Sequence, residues 1–461
     1  RPASGVSLEI QVLPAQVTSA NLLDPNALSL VPSGATPIGS ETIDGLSLGK
    51  GEVLVRRATF DFAQADLWSP TAPALYVLKV TASSAGQVLD TYADSFGLRR
   101  IQVDPKAPRL LLNGVPVAFN GVALHDEQVW PSRDGQPHGG PAPSPADELR
   151  VIRQAQSVYA NLLRTGHTPA NPTLLMLADR LGMAVWEEIP LTHSTPETIS
   201  LAMERGIPQQ MLTELDLRDM NHPSVLFHGY ANESTGTTER LQAMQTLQEL
   251  DHEVDGTRLS GQAMYGSDPT DATSQPLDVA GYTFYYGVFY GDSQVQQATA
   301  QALATAHRIY PHKPIMILEF GRWADNAAQE QQQLNIFNQT YPALAGRFDT
   351  LSGGYVGSAV WWSLEDYWTN RPGISVEHFG LFRADGSRRP VAAAAAAAFA
   401  PSSSYNLAQE VRSSGRAVAV RPPSPVRLLG FIGFALGLPT LLLVLLVVGL
   451  GLGRRRREWR A

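Results

Sequence analysis

Downstream of Pro105 the chain repeats one alternation eight times: a short apolar run suited to a buried strand, then a longer stretch with helical spacing. The runs are Val117–His125, Val158–Arg164, Met183–Ile189, Val225–Asn232, Arg258–Met264, Leu277–Tyr285, Pro314–Glu319 and Tyr355–Trp362. Helical stretches such as Ala146–Gln156 and Thr237–Glu253 fall between them. Parallel strands need a crossover of a dozen or more residues, and a helix supplies it. Eight such units in roughly 290 residues are the arithmetic of an α/β chain folded as a (β/α)8 TIM barrel. The alanine run at 392–398 is a strong helix former and reads as the last helix.

Residues 1–103 have another texture. Short β-type runs at Val6–Val12, Glu52–Phe62 and Leu75–Ala82 are separated by Pro, Gly, Ser and Asp clusters, with Thr91–Val103 as the last piece. That is the pattern of a small β-sandwich. The expected division is therefore a sandwich over 1–103, a barrel over 104–400, a Ser- and Pro-rich linker over 401–427, a transmembrane helix over 428–453 and a basic tail over 454–461. The span Leu428–Gly453 has 26 residues without a charge, about 39 Å as a helix and long enough for a bilayer core. Four arginines follow at 454–457. By the positive-inside rule they predict a single-pass plasma-membrane protein with a cytoplasmic C-terminus and an extracytoplasmic body. The chain opens at Arg1 with neither Met nor a signal peptide, so a fragment or an N-terminally processed protein is expected.

Charge and composition exclude several functions. Lys and Arg number 35 against 43 Asp and Glu, a net charge of −8, and the arginine-rich tail leaves the body more acidic still. Nucleic-acid binding, which needs a cationic face, is excluded as a general function. Without cysteine there is no disulfide, thiolate metal site or cysteine nucleophile.

In a barrel of this kind chemistry sits at the C-terminal ends of the strands. The fourth run ends in Asn232 with Glu233 next to it, and the seventh ends in Glu319. Both side chains can enter one pocket from opposite sides. Two such carboxylates suit glycoside hydrolysis, in which one donates a proton to the leaving oxygen and the other attacks or activates water. Other strand ends carry His125, Asp126 and Glu127, Arg164 and His167, Glu187 and Glu188, Tyr285 and Tyr286, Trp361, Trp362 and Asp366. Aromatic faces and fixed donors and acceptors of this sort read a sugar. His125, His167 and His193 are the alternative as metal ligands, but no HExxH or comparable spacing occurs. No metal and no cofactor is expected.

The segments LWSPTAPALYVLKV (67–80), DSFGLRRIQV (94–103), LLNGVPVAFNGVALHDE (111–127), LLRTGHTPANP (162–172), LADRLGMAVWEEIP (177–190), NHPSVLFHGYANE (221–233), KPIMILEFG (313–321) and VWWSLEDYW (360–368) together resemble glycoside hydrolase family 2, the β-galactosidase, β-glucuronidase and β-mannosidase group. The resemblance covers about residues 60–390. It implies an immunoglobulin-like sandwich before a catalytic barrel and a retaining exo-β-glycosidase. Glu233 would be the acid/base, Glu319 the nucleophile and Tyr285 the tyrosine bonded to it. Asn232 would hold the sugar 2-hydroxyl, with His125, Asp126, Arg164, His167, Glu188, Trp362 and Asp366 as pocket positions. Departures are visible too. The jelly roll that usually precedes the sandwich is absent, Thr283 stands where Asn is common, and His228 stands where Trp is common. Glu377 and Phe379 stand where a glucuronidase would carry an Asn-x-Lys clamp, and Arg322 where a bacterial-type β-galactosidase has His. The expected substrate is thus a neutral β-hexoside, with a β-galactoside first. The rival from another class is a non-catalytic sugar-binding surface receptor, and transglycosylation would use the same residues as hydrolysis.

Overall fold

The computed structural model describes residues 3–401 apart from 63–64, 126–127, 131–137, 141, 292 and 370–375. Eight parallel strands close into a barrel in chain order: Phe119–His125, Leu162–Gly166, Ala184–Glu188, Val225–Asn232, Leu259–Tyr265, Ala280–Thr283, Ile315–Phe320 and Val356–Trp361. The eighth pairs back with the first. Each strand overlaps its expected run, and the fourth coincides with it.

The strands are near-continuously apolar because both faces are covered, as in all-parallel sheets generally. Phe119, Leu162, Trp186, Phe227, Met316, Leu318 and Val360 fill the inside. Val122, Leu163, Val185, Ile315 and Ile317 pack outward against helix residues such as Val151, Leu175 and Leu303. The helices begin where local chemistry caps them. Ser144 and Asp147 form a reciprocal capping box ahead of Pro145–Ser157, with proline in the first turn. Helices Ile207–Asp219 and Thr238–Val254 bury Leu212, Leu215, Ala243 and Leu247 against Tyr230 on the outer side of the fourth strand. The alanine-rich helix spans Pro390–Phe399.

The N-terminal part departs from a two-sheet sandwich. Ala3–Pro14, Gly39–Leu48, Tyr76–Ser84 and Gln87–Phe96 form one four-stranded antiparallel sheet. The expected strand at Glu52–Phe62 forms no regular ladder, although Ala58, Phe60 and Phe62 are buried in alternation and cover that sheet beside Ile10, Val12 and Leu78. Period-two burial reflects which side faces the core, and hydrogen bonding to a neighbour is a separate requirement. Ile101–Val103 joins Leu110–Leu112 and Val115–Val117 in a three-stranded sheet that runs across the expected boundary at 103. Leu110 and Leu112 from it plug the interior at the N-terminal end of the barrel.

The same end is gripped by cations from and to the N-terminal part. Arg99 donates to the carbonyls of Pro223, Val225 and Thr257 at the entrances of the fourth and fifth strands. Arg180 reaches back to the carbonyls of Asn21, Leu22 and Asp24, and the Trp68 indole donates to Asp179 O.

The expected plasma-membrane placement is corrected here. Among the described residues no helix is long and apolar enough to cross a membrane. The span at 428–453, the basic tail and the linker beyond Pro401 lie outside the described residues.

Truncating the Arg99 grip leaves backbone acceptors without a donor, so Arg99→Ala should lower unfolding stability by about 3 kcal/mol. Urea denaturation of wild type and variant measures it. Activity at the opposite end should change little while the variant remains folded.

Candidate active site

The C-terminal end of the barrel is organised around Arg164, on the second strand and wholly buried. Its guanidinium donates Nε to Glu188 Oε1 at 2.6 Å, Nη1 to Glu319 Oε1 at 2.6 Å and Nη2 to Asn232 Oδ1 at 2.9 Å. One cation thus ties the ends of the third, fourth and seventh strands together. Burial penalises its charge, but Glu188 and Glu319 outweigh that and hold it firmly protonated. Burial likewise pushes the Glu188 carboxyl up, yet Arg164 and His167 leave it below its ordinary value.

Glu188 needs a fixed setting to serve as the anchor, and the sequence makes one. The Trp186 indole donates to Glu188 Oε1 at 2.8 Å. A Cβ at Gly261 would lie 2.4 Å from the Trp186 ring, and one at Gly229 2.6 Å from its nitrogen. These two glycines open the slot the indole fills.

Glu319 has both oxygens engaged: Oε1 by Arg164 and Oε2 by the Tyr285 hydroxyl at 2.6 Å. The Tyr285 hydroxyl is held protonated by its own burial and by Glu319. Glu233 follows the fourth strand with φ of +42°, a left-handed conformation uncommon for a side chain larger than glycine. Its Oε1 accepts from the Thr283 hydroxyl at 2.6 Å, and Oε2 lies 3.8 Å from His193 Nδ1. Its pKa is raised to about 7, by burial first and by Glu319 second. The two carboxylates keep 15% and 6% of their side-chain surface, whereas Arg164 keeps none. The carboxylates reach the pocket, and the cation works from behind them.

Asn232 is oriented on both sides. With Oδ1 accepting from Arg164, its Nδ2 faces Thr192 Oγ1 and His167 Nε2, each at 3.2 Å. His167 Nδ1 lies 3.0 Å from Glu188 Oε2 and 3.3 Å from Arg164 Nη2, so the ring is held on both of its nitrogens. The His167 ring stacks on Trp362 at 5.3 Å and 9°. His125 stacks on Tyr367 at 4.3 Å and meets Trp362 edge-on, while the Trp362 indole donates to the Tyr367 hydroxyl. An aromatic wall stands beside the hub.

The structure therefore brings together Glu233, Glu319, Tyr285, Asn232, Arg164, His167, Glu188, Trp362 and His125. Asp126 lies outside the described residues. Asp366 is not part of the network. Arg389 holds both its oxygens at 2.7 and 3.0 Å, with His378 Nδ1 and the Gly380 N–H alongside, so it anchors the loop after the eighth strand. Thr283, Thr192, Trp186 and Tyr367 were not among the expected site residues. Thr283 sat in view at the end of the sixth run, but a threonine carries no catalytic signal by itself. Among the described residues, only Asp216, His228 and Asp251 bring three or more metal-binding atoms together, on the outer face of the fourth strand.

The family model for glycosyl hydrolases family 2, TIM barrel domain, matches residues 103–398, and that for glycosyl hydrolases family 2 matches residues 30–99. A β-glucuronidase of Streptococcus agalactiae serotype V is 28% identical over 345 residues, covering 68% of this chain and 55% of that protein. A β-galactosidase of Thermoanaerobacterium thermosulfurigenes is 26% identical over 315 residues, covering 66% of this chain and 39% of that protein. The Bacteroides uniformis β-glucuronidase structure superposes with a TM-score of 0.69 at 24% identity, over 86% of this chain and 47% of that one. The chain spans about half the length of such relatives. With the barrel model alone covering well over half of the sequence, the chain belongs to glycoside hydrolase family 2.

Proposed function

We propose that this chain is a retaining exo-β-glycosidase in which Glu319 is the nucleophile and Glu233 the acid/base. The observation that carries the reading is the unequal setting of the two carboxyls. Glu319 is aimed by Arg164 and Tyr285, whereas Glu233 has a pKa raised to about 7, so a large share of it holds a proton at neutral pH. Paired carboxyls pushed apart in this way divide into attacking group and proton donor. Glu319 attacks the anomeric carbon while Glu233 gives its proton to the departing glycosidic oxygen, leaving a glycosyl ester on Glu319. Glu233, now ionised, takes a proton from water; the hydroxide adds to the anomeric carbon and the ester bond breaks. Asn232, fixed from both sides, is placed for the sugar 2-hydroxyl, and the Trp362 wall for the apolar sugar face. Arg164 and Glu188 act as positioning residues.

The sugar we favour is a neutral β-hexoside, a galactoside first, because Glu377 and Phe379 occupy the segment where a cation would be needed for a uronate. A β-glucuronide is the second reading, favoured by the names of most of the related proteins. A non-catalytic sugar receptor would need neither the raised Glu233 nor the clamped Glu319.

Release of nitrophenol from aryl β-galactoside, glucoside, mannoside, glucosaminide and glucuronide tests all three. One sugar should turn over, with Glu319→Gln reducing kcat by roughly 10⁴-fold or more. Glu233→Gln should cost roughly 10²–10⁴-fold, and least for the best leaving groups. Sugar binding without turnover of any glycoside would establish the receptor instead.

The pH profile makes a separate test. The acid must be protonated, so kcat/KM should fall as pH rises through about 7. The Thr283 hydroxyl stabilises the ionised form of Glu233. In Thr283→Val the falling limb should therefore move to higher pH; movement to lower pH would remove Glu233 from the acid role.

A further inference from the structure

Behind the active site, strands three and four turn a second set of polar groups outward. Asp216 comes from helix Ile207–Asp219, His228 from the fourth strand and Asp251 from helix Thr238–Val254. All three side chains are about 1% exposed or less. His228 Nδ1 lies 3.3 Å from Asp216 Oδ1 and 3.2 Å from Asp251 Oδ2. A cation with ligands at about 2.0–2.1 Å in tetrahedral array sets neighbouring ligand atoms about 3.3 Å apart. The two measured separations match that edge; with no ion bound, the second is a hydrogen bond between His228 Nδ1 and Asp251 Oδ2.

A second observation points to a ligand. Neither oxygen of Asp216 receives a hydrogen bond, and Asp251 Oδ1 and His228 Nε2 are also without one. An uncompensated buried carboxylate is costly, and such groups are ordinarily paired or bound to metal. The nearby arginines are committed elsewhere, which among the described residues leaves His228 as the one positive charge beside Asp216. Arg218 is engaged with Asp219 and Ala170 O, and Arg258 with Asp255 and the carbonyls of Asp219, Met220 and His222. The supporting contacts of a metal site are in place. Tyr230 donates to Asp251 Oδ2 at 2.6 Å. Glu187 Oε1, itself without a hydrogen bond, lies 3.9 Å from His228 Nε2, on the side away from the two aspartates. A metal-bound histidine characteristically turns its other nitrogen to a carboxylate.

We infer that Asp216 Oδ1, His228 Nδ1 and Asp251 Oδ2 form a buried site for a divalent transition-metal ion, zinc by ligand type and spacing. Two carboxylates and a neutral imidazole balance the ion's charge. Three protein ligands leave the fourth position of the tetrahedron to a water, and the ion would tie both helices to the fourth strand, which ends at Asn232 just before Glu233. Its simplest competitor is the proton. The two aspartates outweigh burial and raise His228 to about 9, so an imidazolium can stand where the metal would.

The full chain, stripped with chelator and dialysed against zinc chloride, should retain a single zinc ion and melt at higher temperature than the stripped form. Asp216→Asn and His228→Gln should weaken binding by more than the roughly 10–100-fold that loss of a supporting group costs. Glu319→Gln should leave it intact. No stoichiometric zinc on wild type, or zinc kept by both variants, would overturn the site in favour of the proton alone. Should the variants fail to fold, X-ray absorption of zinc-loaded wild type decides. One imidazole with oxygen ligands at about 2.0 Å supports the assignment; two or more imidazoles overturn it.

Discussion

A wholly buried guanidinium holds the C-terminal end of this barrel together. Arg164 is the shared donor to Glu188, Glu319 and Asn232, so three strand ends take their relative positions from one planar group. A buried cation is tolerated only when its donors are met, and removing a partner leaves an uncompensated charge. That requirement runs both ways. Glu319 is aimed because Arg164 cannot do without it, and Glu188 is fixed because Trp186 and His167 hold its remaining lone pairs. A lysine, with a single point charge on a flexible stem, could not span three acceptors in a plane. Arg164 and Glu233 are coupled too: the cation draws on Glu319, which in turn helps keep the Glu233 proton on.

Much of this was legible in the sequence. Strands buried on both faces read as plain apolar runs, which is why all eight could be located, and Val225–Asn232 to the residue. Strand ends then gave the candidate residues, since a barrel carries its chemistry at one rim. Contacts that depend on distant partners were not legible. Nothing local distinguishes an aspartate that touches sugar from Asp366, whose partner Arg389 lies on the far side of a loop. Ala58, Phe60 and Phe62 alternate like a strand without pairing like one. Thr283 matters because Glu233 comes from another strand to meet it. The cluster of Asp216, His228 and Asp251 draws on two helices and a strand, so it has no spacing that a motif could capture.

The pleat of the third strand gives adjacent residues opposite duties. Glu188 turns inward to the Arg164 hub, and Glu187 turns outward to the Ala170 N–H and the His228 side. On the fourth strand an irregularity between Gly229 and Asn232 breaks that alternation and leaves Asn232 within and His228 and Tyr230 without. Site and outer cluster are thus separated by the thickness of a single strand, which makes the helix layer a direct support for the geometry of the candidate site.

The grip of Arg99 on the entrance carbonyls lies at the opposite rim from Glu233 and Glu319. Attachment and chemistry therefore draw on different ends of the same eight strands. Loops at the open rim can be exchanged, lengthened or recoloured with charge without loosening the joint below. Whatever varies at the open rim is thus separated from the joint by the full length of the strands.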